Sequence, residues 1–310
     1  MGEERGQIAV RNILVTGGTV FVSRFTAEYF AAKGDNVFVL NRGNRPQPED
    51  VTPIICDRCA IGTRFKGKAF DLVVDVSAYT RADAEKLVTA IGDFGCYIFI
   101  SSGAVYPETL PLPFREEQKC GRNSVWGDYG ANKLDAENFL LENVGNAYIV
   151  RPPYLYGRYE NLYRAPYIFD CADMGQPVYV PREDLPLQFF NVYDLCRFIE
   201  ILYAVRPAES IFNVGDPDTV TVGEWVRICF EAAGKSPEIR IAPKDYFARN
   251  YFCFYDMDYR LDVSRMRRLM PDVKPLAEGI REEYEWYKTS PDAVLKRSYF
   301  EYINENLCGR

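Results

Sequence analysis

The sequence predicts an α/β fold in which a doubly wound parallel sheet carries a smaller C-terminal lobe. Through the first half of the chain, short apolar runs alternate with helical patterns, as repeated β-α-β units require. The runs are apolar almost throughout, which is typical of parallel strands that helices cover on both faces. From residue 152 onward, prolines, tyrosines and loop residues become frequent, which indicates a second unit.

The elements follow from the spacing of apolar residues. Predicted strands of the sheet are 12–16, 36–40, 52–56, 71–76, 96–101 and 147–150, and the helices between them are 22–33, 81–91 and 127–143. Lys33 and Gly34 end the first helix, because glycine readily terminates helices. In the second half we predict helices at 191–205, 221–233, 262–270 and 276–288, and a strand at 211–214. The resulting division places 8–170 in the first domain, with 187–213 returning to it, and 171–186 and 214–310 in the smaller lobe.

Length and composition restrict the function. The 310 residues, 47% of them hydrophobic, can bury a large core, and no apolar run approaches the ~20 residues that cross a bilayer. The charged N-terminal segment argues against export, so we expect a cytoplasmic protein. The net charge of −7 argues against a general polyanion binder. The basic run Arg265–Arg268 is interpreted as a solvated helix face in preference to an RNA site.

The chain contains no histidine, which excludes Ser-His-Asp hydrolysis, histidine bases and histidine-ligated metals. Acid–base chemistry must therefore fall to Tyr, Lys, Asp, Glu or Cys. The nine cysteines form no disulfide-like pattern, which favours reduced thiols. Cys56 and Cys59 form a single C-x-x-C, for which we favour core packing over metal or redox use. We predict no metal site.

A glycine turn after the first strand indicates a phosphate site. Gly17 and Gly18 permit a tight turn, and the helix that begins near Phe21 directs free backbone N–H groups and its dipole toward an anion. The full glycine pattern would also place glycines at 20 and 23, where this chain has Val20 and Ser23. An ordinary βα turn is the alternative. The predicted pyrophosphate segment comprises Gly17, Gly18, Thr19, Val20, Phe21 and Val22.

The ends of the next strands extend this cofactor site. Asn41 and Arg42 end the second strand where an acidic residue would select NAD, so a 2′-phosphate could be accepted, which favours NADP over NAD without deciding between them. A turn with a solvated arginine is equally compatible. Asp57 could contact the adenine amino group or cap the following segment. Small residues after the fourth strand allow close approach of a cofactor, and this part of the site comprises Ser77, Ala78 and Tyr79.

Three residues are candidates for catalysis. Tyr129 and Lys133 are four positions apart on a predicted helix and share one face. An ammonium near a phenol lowers the phenol pKa from ~10, so Tyr129 could accept the proton of a substrate hydroxyl. Lys133 could also bind the nicotinamide ribose. Ser102, at the end of the fifth strand, could hydrogen-bond the reacting oxygen. The alternative is that Tyr129 and Lys133 are only a pair of side chains on the surface of a helix.

Several segments occur in the order typical of one known family. They are ILVTGGTVFVSR, CDRC, FDLVVDVSAYT, YIFISSGAVY, YGANK, RPPYLYG, LPLQFFNVYDLCRFI and IFNVGDPDTVTVGEWV. The chain resembles an extended short-chain dehydrogenase/reductase of the NAD-dependent epimerase/dehydratase type, over nearly its whole length. Within that family, TGGT-x-F and VLNRG resemble the branch that includes chloroplast stem-loop-binding proteins. The resemblance implies a Rossmann fold with a C-terminal substrate-binding lobe.

The resemblance also implies residue roles. Ser102, Tyr129 and Lys133 match the catalytic set, and Pro152, Pro153 and Tyr154 match the loop beside the nicotinamide. Dehydratases of the family carry an Asp-Glu pair where this chain has Gly103 and Ala104, so 4,6-dehydration is not expected. Tyr154 replaces an Asn that contacts substrate in many epimerases, and Val20 would weaken cofactor binding.

These observations lead to two hypotheses. The first is an NAD(P)-dependent epimerase or reductase, similar to UDP-glucose 4-epimerase, that acts on a nucleotide-activated sugar held between the lobes. The resemblance further implies a homodimer formed through helices that include 127–143. The second is a non-catalytic RNA-binding or regulatory protein that retains the dinucleotide-binding fold.

Overall fold

The computed structural model describes residues 10–308. The charged N-terminal segment, and with it residues 8 and 9 of the predicted first domain, lies outside the described residues, as do residues 309 and 310. The strands are β1 Asn12–Thr16, β2 Asn36–Asn41, β3 Val51–Ile55, β4 Leu72–Asp75, β5 Tyr97–Ile100, β6 Ala147–Arg151, β7 Tyr154–Tyr156, β8 Val178–Val180, β9 Pro186–Leu187, β10 Phe189–Asn191, β11 Ile211–Asn213, β12 Val220–Thr221 and β13 Ile239–Ile241. The helices are α1 Phe21–Ala32, α2 Arg81–Ile91, α3 Asp128–Asn143, α4 Ala165–Met174, α5 Val192–Val205, α6 Val222–Ala232, α7 Ser264–Leu269, α8 Leu276–Thr289 and α9 Tyr299–Asn306.

Seven strands form one sheet in the order β11-β6-β5-β4-β1-β2-β3, and every neighbouring pair is parallel. Alternate residues of each strand face opposite sides, so Ile13 and Val15 join one apolar core with α1 and α5. Leu14 and Val73 join the other core with α2 and α3. The doubly wound α/β prediction is therefore confirmed. The strand order reverses beside β1, and the carboxyl ends of the strands open a crevice there.

The helix ends follow local chemistry. At the end of α1 the Gly34 N–H donates to the Ala31 carbonyl (2.9 Å), and Gly34 has φ +87°, which a residue with a Cβ rarely adopts. Thr80 and Asp83 form a reciprocal capping box that begins α2. Predicted and observed boundaries of these elements differ by only one or two residues.

The sequence interpretation missed α4, where loops were expected. Seven of its ten residues are buried, so its apolar residues show no one-sided helical spacing. With α6, α8 and α9 it forms a separate core of the C-terminal lobe. The placement of the domain boundary at residue 170 stays a prediction. Among residues 10–308, no helix combines the length and apolar character needed to cross a membrane.

Candidate active site

A cleft of about 860 Å³ lies at the carboxyl ends of the strands around β1. Many of the residues that the sequence assigned to a cofactor line it. They are Gly17, Thr19, Val20, Asn41, Arg42, Asp57, Ser77 and Tyr79. The structure therefore brings the predicted phosphate turn and the predicted adenosine contacts to one continuous surface.

Other predicted cofactor residues do not line this cleft. Gly18 lies against Val39, the Phe21 ring is buried in an apolar cluster, and Val22 packs beside it. Ala78 is fully buried, because it follows β4 beneath the loop that carries Ser77 and Tyr79.

The turn after β1 accommodates the two replaced glycines. Gly17 and Gly18 have φ values of +90° and +77°, and a Cβ on Gly18 would lie 2.6 Å from Val39, so both require glycine. Val20 has φ −139°, an extended conformation that any residue adopts. The Ser23 hydroxyl donates to the Val20 carbonyl (2.8 Å) and packs against Gly17. Val20 and Ser23 thus adopt ordinary conformations, whereas the next residue, Phe21, has φ +37°, which is unusual for a residue with a Cβ. The first turn of α1 contains no acidic residue.

At the far end of the cleft, cations are available for an anion. Arg42 and Arg45 both line the cleft, and neither has an ion-pair partner among residues 10–308. The Asn41 side chain instead stabilises its own loop, accepting from the Gly43 N–H and donating to Gln47 (2.8 Å each). Asp57 accepts from the Cys59 N–H (2.7 Å), and this hydrogen bond lowers the Asp57 pKa. Asp57 is therefore a cap that also lines the cleft.

The C-x-x-C pair is split between core and surface. Cys56 is buried with the sheet core, but Cys59 is exposed and accepts from Lys86 Nζ at 3.2 Å. The core-packing prediction is wrong for Cys59, because the one-turn helix Arg58–Ala60 turns the chain outward there. Within residues 10–308, no three potential metal ligands cluster.

A buried network supports the floor of the cleft. Asp75, at the end of β4, is inaccessible to solvent and pairs with Arg58 at 2.6 Å. It also accepts from the hydroxyls of Thr16 (2.7 Å) and Tyr97 (2.5 Å). Arg58 and these hydrogen bonds lower the Asp75 pKa despite burial, which favours the neutral acid. Sequence reasoning missed this network; an acidic residue that ends an otherwise apolar strand was the available signal.

The catalytic candidates meet at the end of β5. A Cβ on Gly130 would lie 2.1 Å from the Ala104 carbonyl oxygen, so only glycine lets α3 approach this closely. The approach places Tyr129 beside Ser102, whose hydroxyl acts to lower the Tyr129 pKa against the larger effect of burial. The Tyr129 side chain is 39% exposed, and both residues line a second cleft.

The expected effect of Lys133 on Tyr129 is not found. Lys133 is 2% exposed, and its Nζ donates to the carbonyls of Ala78 and Ile100 (2.8 Å each). Burial lowers the Lys133 pKa to about 8. Burial of the phenol end raises the Tyr129 pKa above 10.0, and the Ser102 hydrogen bond offsets this only in part. The predicted lowering of the Tyr129 pKa is therefore wrong for the protein without ligands, because Lys133 is engaged by the backbone.

The second cleft, of about 440 Å³, lies between the sheet and the C-terminal lobe. The predicted loop residues Pro152, Pro153 and Tyr154 line it together with Ser102 and Tyr129. A Cβ on Gly103 would lie 3.0 Å from the Tyr259 ring and 3.2 Å from Leu261. A side chain at position 103 would therefore require the Tyr259 and Leu261 side chains to shift. Sequence reasoning missed the C-terminal residues of this cleft, which no motif identified.

Comparisons with known proteins agree with this geometry. The model of the "NAD dependent epimerase/dehydratase family" matches residues 13–215. A chloroplast stem-loop binding protein of 41 kDa from Arabidopsis thaliana is 26% identical over 301 residues, covering 88% of this chain and 78% of that protein. The structure of UDP-glucose 4-epimerase from Thermotoga maritima with UDP-glucose superposes with a TM-score of 0.71 at 19% identity, covering 90% of this chain and 99% of the other. The structure of dTDP-glucose 4,6-dehydratase from Bacillus anthracis with NAD superposes with a TM-score of 0.74 at 16% identity, covering 92% of this chain and 99% of the other.

Proposed function

We propose, from the premise that the chain belongs to the NAD-dependent epimerase/dehydratase family, that it is an NAD(P)-dependent epimerase or reductase of a nucleotide-activated sugar. The observation that carries the proposal is that Ser102 and Tyr129 line one cleft with the loop Pro152–Tyr154, next to the cleft at the glycine turn. Two similar proteins support the substrate class. One is a solved structure that contains UDP-glucose, and the other is a Streptomyces protein named dTDP-4-dehydro-6-deoxy-D-allose reductase.

The residues of the first cleft fit a dinucleotide. The turn at Gly17 and Gly18 leaves no room for a Cβ at either position, and the α1 N-terminus would receive the pyrophosphate. Arg42 and Arg45 would receive a 2′-phosphate, which supports NADP, whereas solved neighbours contain NAD. When bound, the nicotinamide would exchange hydride with substrate carbon.

The protein's own residues would transfer the proton to and from the substrate oxygen. Because the Tyr129 pKa lies above 10.0, the phenol carries its proton near neutral pH and could donate it to a carbonyl oxygen, and in the reverse direction accept it from a hydroxyl. Ser102 would hydrogen-bond the same oxygen. Lys133, anchored by two carbonyls, supports the loop of Ala78 and the end of β5. The packing of Tyr259 against Gly103 argues against a 4,6-dehydratase.

A thermal-shift series tests the proposal. NAD, NADP, UDP-glucose, UDP-galactose and dTDP-glucose are added singly and in pairs, because a ligand that binds only the folded protein raises Tm with the logarithm of its concentration over Kd. We expect at least one dinucleotide cofactor and at least one nucleotide sugar to raise Tm, and we expect NADP to raise it more than NAD. No shift with any of them at millimolar concentration would refute the proposal.

A second candidate function is a non-catalytic RNA binder, which the stem-loop-binding relative supports. Against it, two arginines of the basic run are engaged: Arg265 pairs with Glu117, and Arg268 pairs with Glu209. Salt-dependent affinity for a stem-loop RNA, without cofactor binding, would favour this candidate. A homodimer through helices that include α3 is also part of the first proposal, and sedimentation would measure it.

A further inference from the structure

The Lys133 ammonium is buried between two neutral acceptors. The residue is 2% exposed, and its Nζ donates to the carbonyls of Ala78 and Ile100 at 2.8 Å each. Within the described part of the chain, no carboxylate lies close enough to form an ion pair with it. A buried charge without a counter-charge is costly, and burial accordingly lowers the Lys133 pKa. The charge of this ammonium therefore depends on groups beyond its own hydrogen bonds.

The groups that face the ammonium belong to several elements. They are Asp75 at the end of β4, Glu137 on α3 itself, Arg58 in the one-turn helix after β3, Asp83 on α2 and the Tyr79 ring, whose centroid is 5.2 Å from Nζ. Against the effect of burial, Asp75 raises the Lys133 pKa more than Glu137 does. Glu137 is engaged by Arg151 at 2.5 Å. Asp75 is thus the carboxylate on which the ammonium depends most.

Hydrogen bonds join Asp75 to this ammonium through a single residue. The Asp75 carboxylate accepts from the Ala78 N–H (3.2 Å), and the Ala78 carbonyl accepts from Lys133 Nζ (2.8 Å). Arg58 pairs with Asp75 at 2.6 Å and also donates to the Ser77 hydroxyl (3.2 Å). The ion pair therefore holds the turn at residues 76–79, and that turn presents a carbonyl to Lys133.

We propose that Asp75 is a positioning residue for Lys133: it fixes the Ala78 carbonyl that holds the ammonium, and it supplies a buried negative charge on that side of α3. The assignment rests on the proposed function, because Lys133 is expected to bind the nicotinamide ribose. Asp75 itself touches neither cofactor nor substrate, since it is inaccessible to solvent. Its influence reaches the cofactor cleft through Lys133 and through Ser77 and Tyr79, which line that cleft.

The test is Asp75→Asn, which keeps an oxygen for the Ala78 N–H and removes the charge. In protein labelled with carbon-13 at lysine Cε, an NMR titration from pH 6 to 10 follows the Lys133 signal, identified as the one missing from Lys133→Met. Wild type should titrate near pH 8. The midpoint of Asp75→Asn should lie about one pH unit lower, because Arg58 then repels the ammonium without compensation.

Two further variants separate this effect from a loss of stability. Arg58→Met/Asp75→Asn removes both charges and leaves no buried charge unpaired; its midpoint should return close to that of wild type, because attraction and repulsion are lost together. Asp71→Asn is the matched control at the other end of β4, where the carboxylate accepts from the Asn12 N–H (2.7 Å). It should leave the Lys133 midpoint unchanged.

A second readout is the affinity for NADP, measured by calorimetry across the same pH range. The Kd of wild type should rise as pH passes through the Lys133 midpoint, and in Asp75→Asn the rise should begin about one pH unit lower. A purely structural role would lower stability and leave both pH dependences in place.

The outcomes distinguish this inference from the proposed function. An unchanged Lys133 midpoint in Asp75→Asn, or a double variant whose midpoint stays as low as that of the single variant, would overturn the assignment of Asp75 while leaving the proposed function standing. If wild type binds neither NAD nor NADP at any pH, the proposed function fails, and the positioning role fails with it whatever the titration shows.

Discussion

The two clefts of this protein satisfy their polar groups in different ways. Beneath the cofactor cleft, the buried carboxylate of Asp75 has partners in Arg58, Thr16 and Tyr97. In the second cleft, the Trp126 Nε1–H and the Tyr259 hydroxyl are buried and have no hydrogen-bond partner among residues 10–308. A cleft whose buried polar groups are all hydrogen-bonded within the protein has its shape fixed before a ligand binds. Buried donors without partners can instead be hydrogen-bonded by a ligand. The comparison indicates that the first cleft is preorganised; under the proposed function, the second cleft would carry the selectivity for substrate.

The largest expected effect concerns the point where the two clefts meet. Tyr129→Phe removes the phenol that would transfer the proton and keeps the ring, so turnover should fall by about 10²–10⁴-fold. Cofactor affinity should change little, because the hydroxyl faces Ser102 in the second cleft. Steady-state kinetics and NADP titration measure the two quantities. Turnover within a few fold of wild type would remove Tyr129 from the mechanism.

Asp75→Asn tests whether the first cleft depends on its completed network. The substitution leaves Arg58 buried without its counter-charge, so the free energy of unfolding should fall by about 3–5 kcal/mol. Urea unfolding measures the loss, with Asp93→Asn, at an exposed position, as control. Equal stability of the two variants would show that the network contributes no more than a surface charge.

The first cleft could be predicted from sequence because its parts are local. A strand, two glycines and a helix start lie within a dozen residues, and parallel strands place their ends together without further information. The substrate cleft could not be predicted this way. Tyr259 and Arg297 reach it only through the packing of the C-terminal lobe, and neither belongs to a short motif.

The electrostatics of the catalytic pair show the same limit. The spacing of Tyr129 and Lys133 correctly predicts one helix, but the two backbone carbonyls that engage Lys133 belong to the loop after β4 and to the last residue of β5, both distant in sequence. Their direction decides that the ammonium does not lower the Tyr129 pKa. Arg58 likewise pairs with Asp75 although the two residues follow different strands. The acidic residue at the end of β4 can be recognised in the sequence, but its partner cannot.

Gly130→Ala tests how closely α3 must approach the end of β5. The added Cβ meets backbone, the Ala104 carbonyl, which cannot move as a side chain could. Overpacking of this kind costs about 1–3 kcal/mol, and we expect turnover to fall with it as Tyr129 moves from Ser102. Gly145→Ala is the control, since nothing lies within 4 Å of its added Cβ. Equal melting temperatures for both variants would contradict the close approach.

Behind the second cleft, two carboxyl groups are buried together. Glu283 accepts from the Gly157 N–H (2.8 Å) and lies beside Glu160, which pairs with Arg164. Tyr156, Cys229 and Cys253 also face this pair. One cation cannot neutralise two carboxylates, so burial and Glu160 raise the Glu283 pKa well above 4.5. Glu283 therefore holds its proton to a higher pH in the folded protein than in the unfolded chain.

This raised pKa makes stability depend on pH in a known direction. Between the ordinary Glu pKa and the raised folded value, the native state binds a proton that the unfolded chain has released. Stability is therefore greatest at the acidic end of that window and falls as pH rises, by up to about 1.4 kcal/mol per pH unit. Glu283→Gln, which imitates the protonated acid, should remove this contribution, whereas Glu285→Gln, exposed on the same helix, should retain it. Urea unfolding from pH 5 to 8 measures both, and parallel curves for wild type and Glu283→Gln would show that the pair shares no proton.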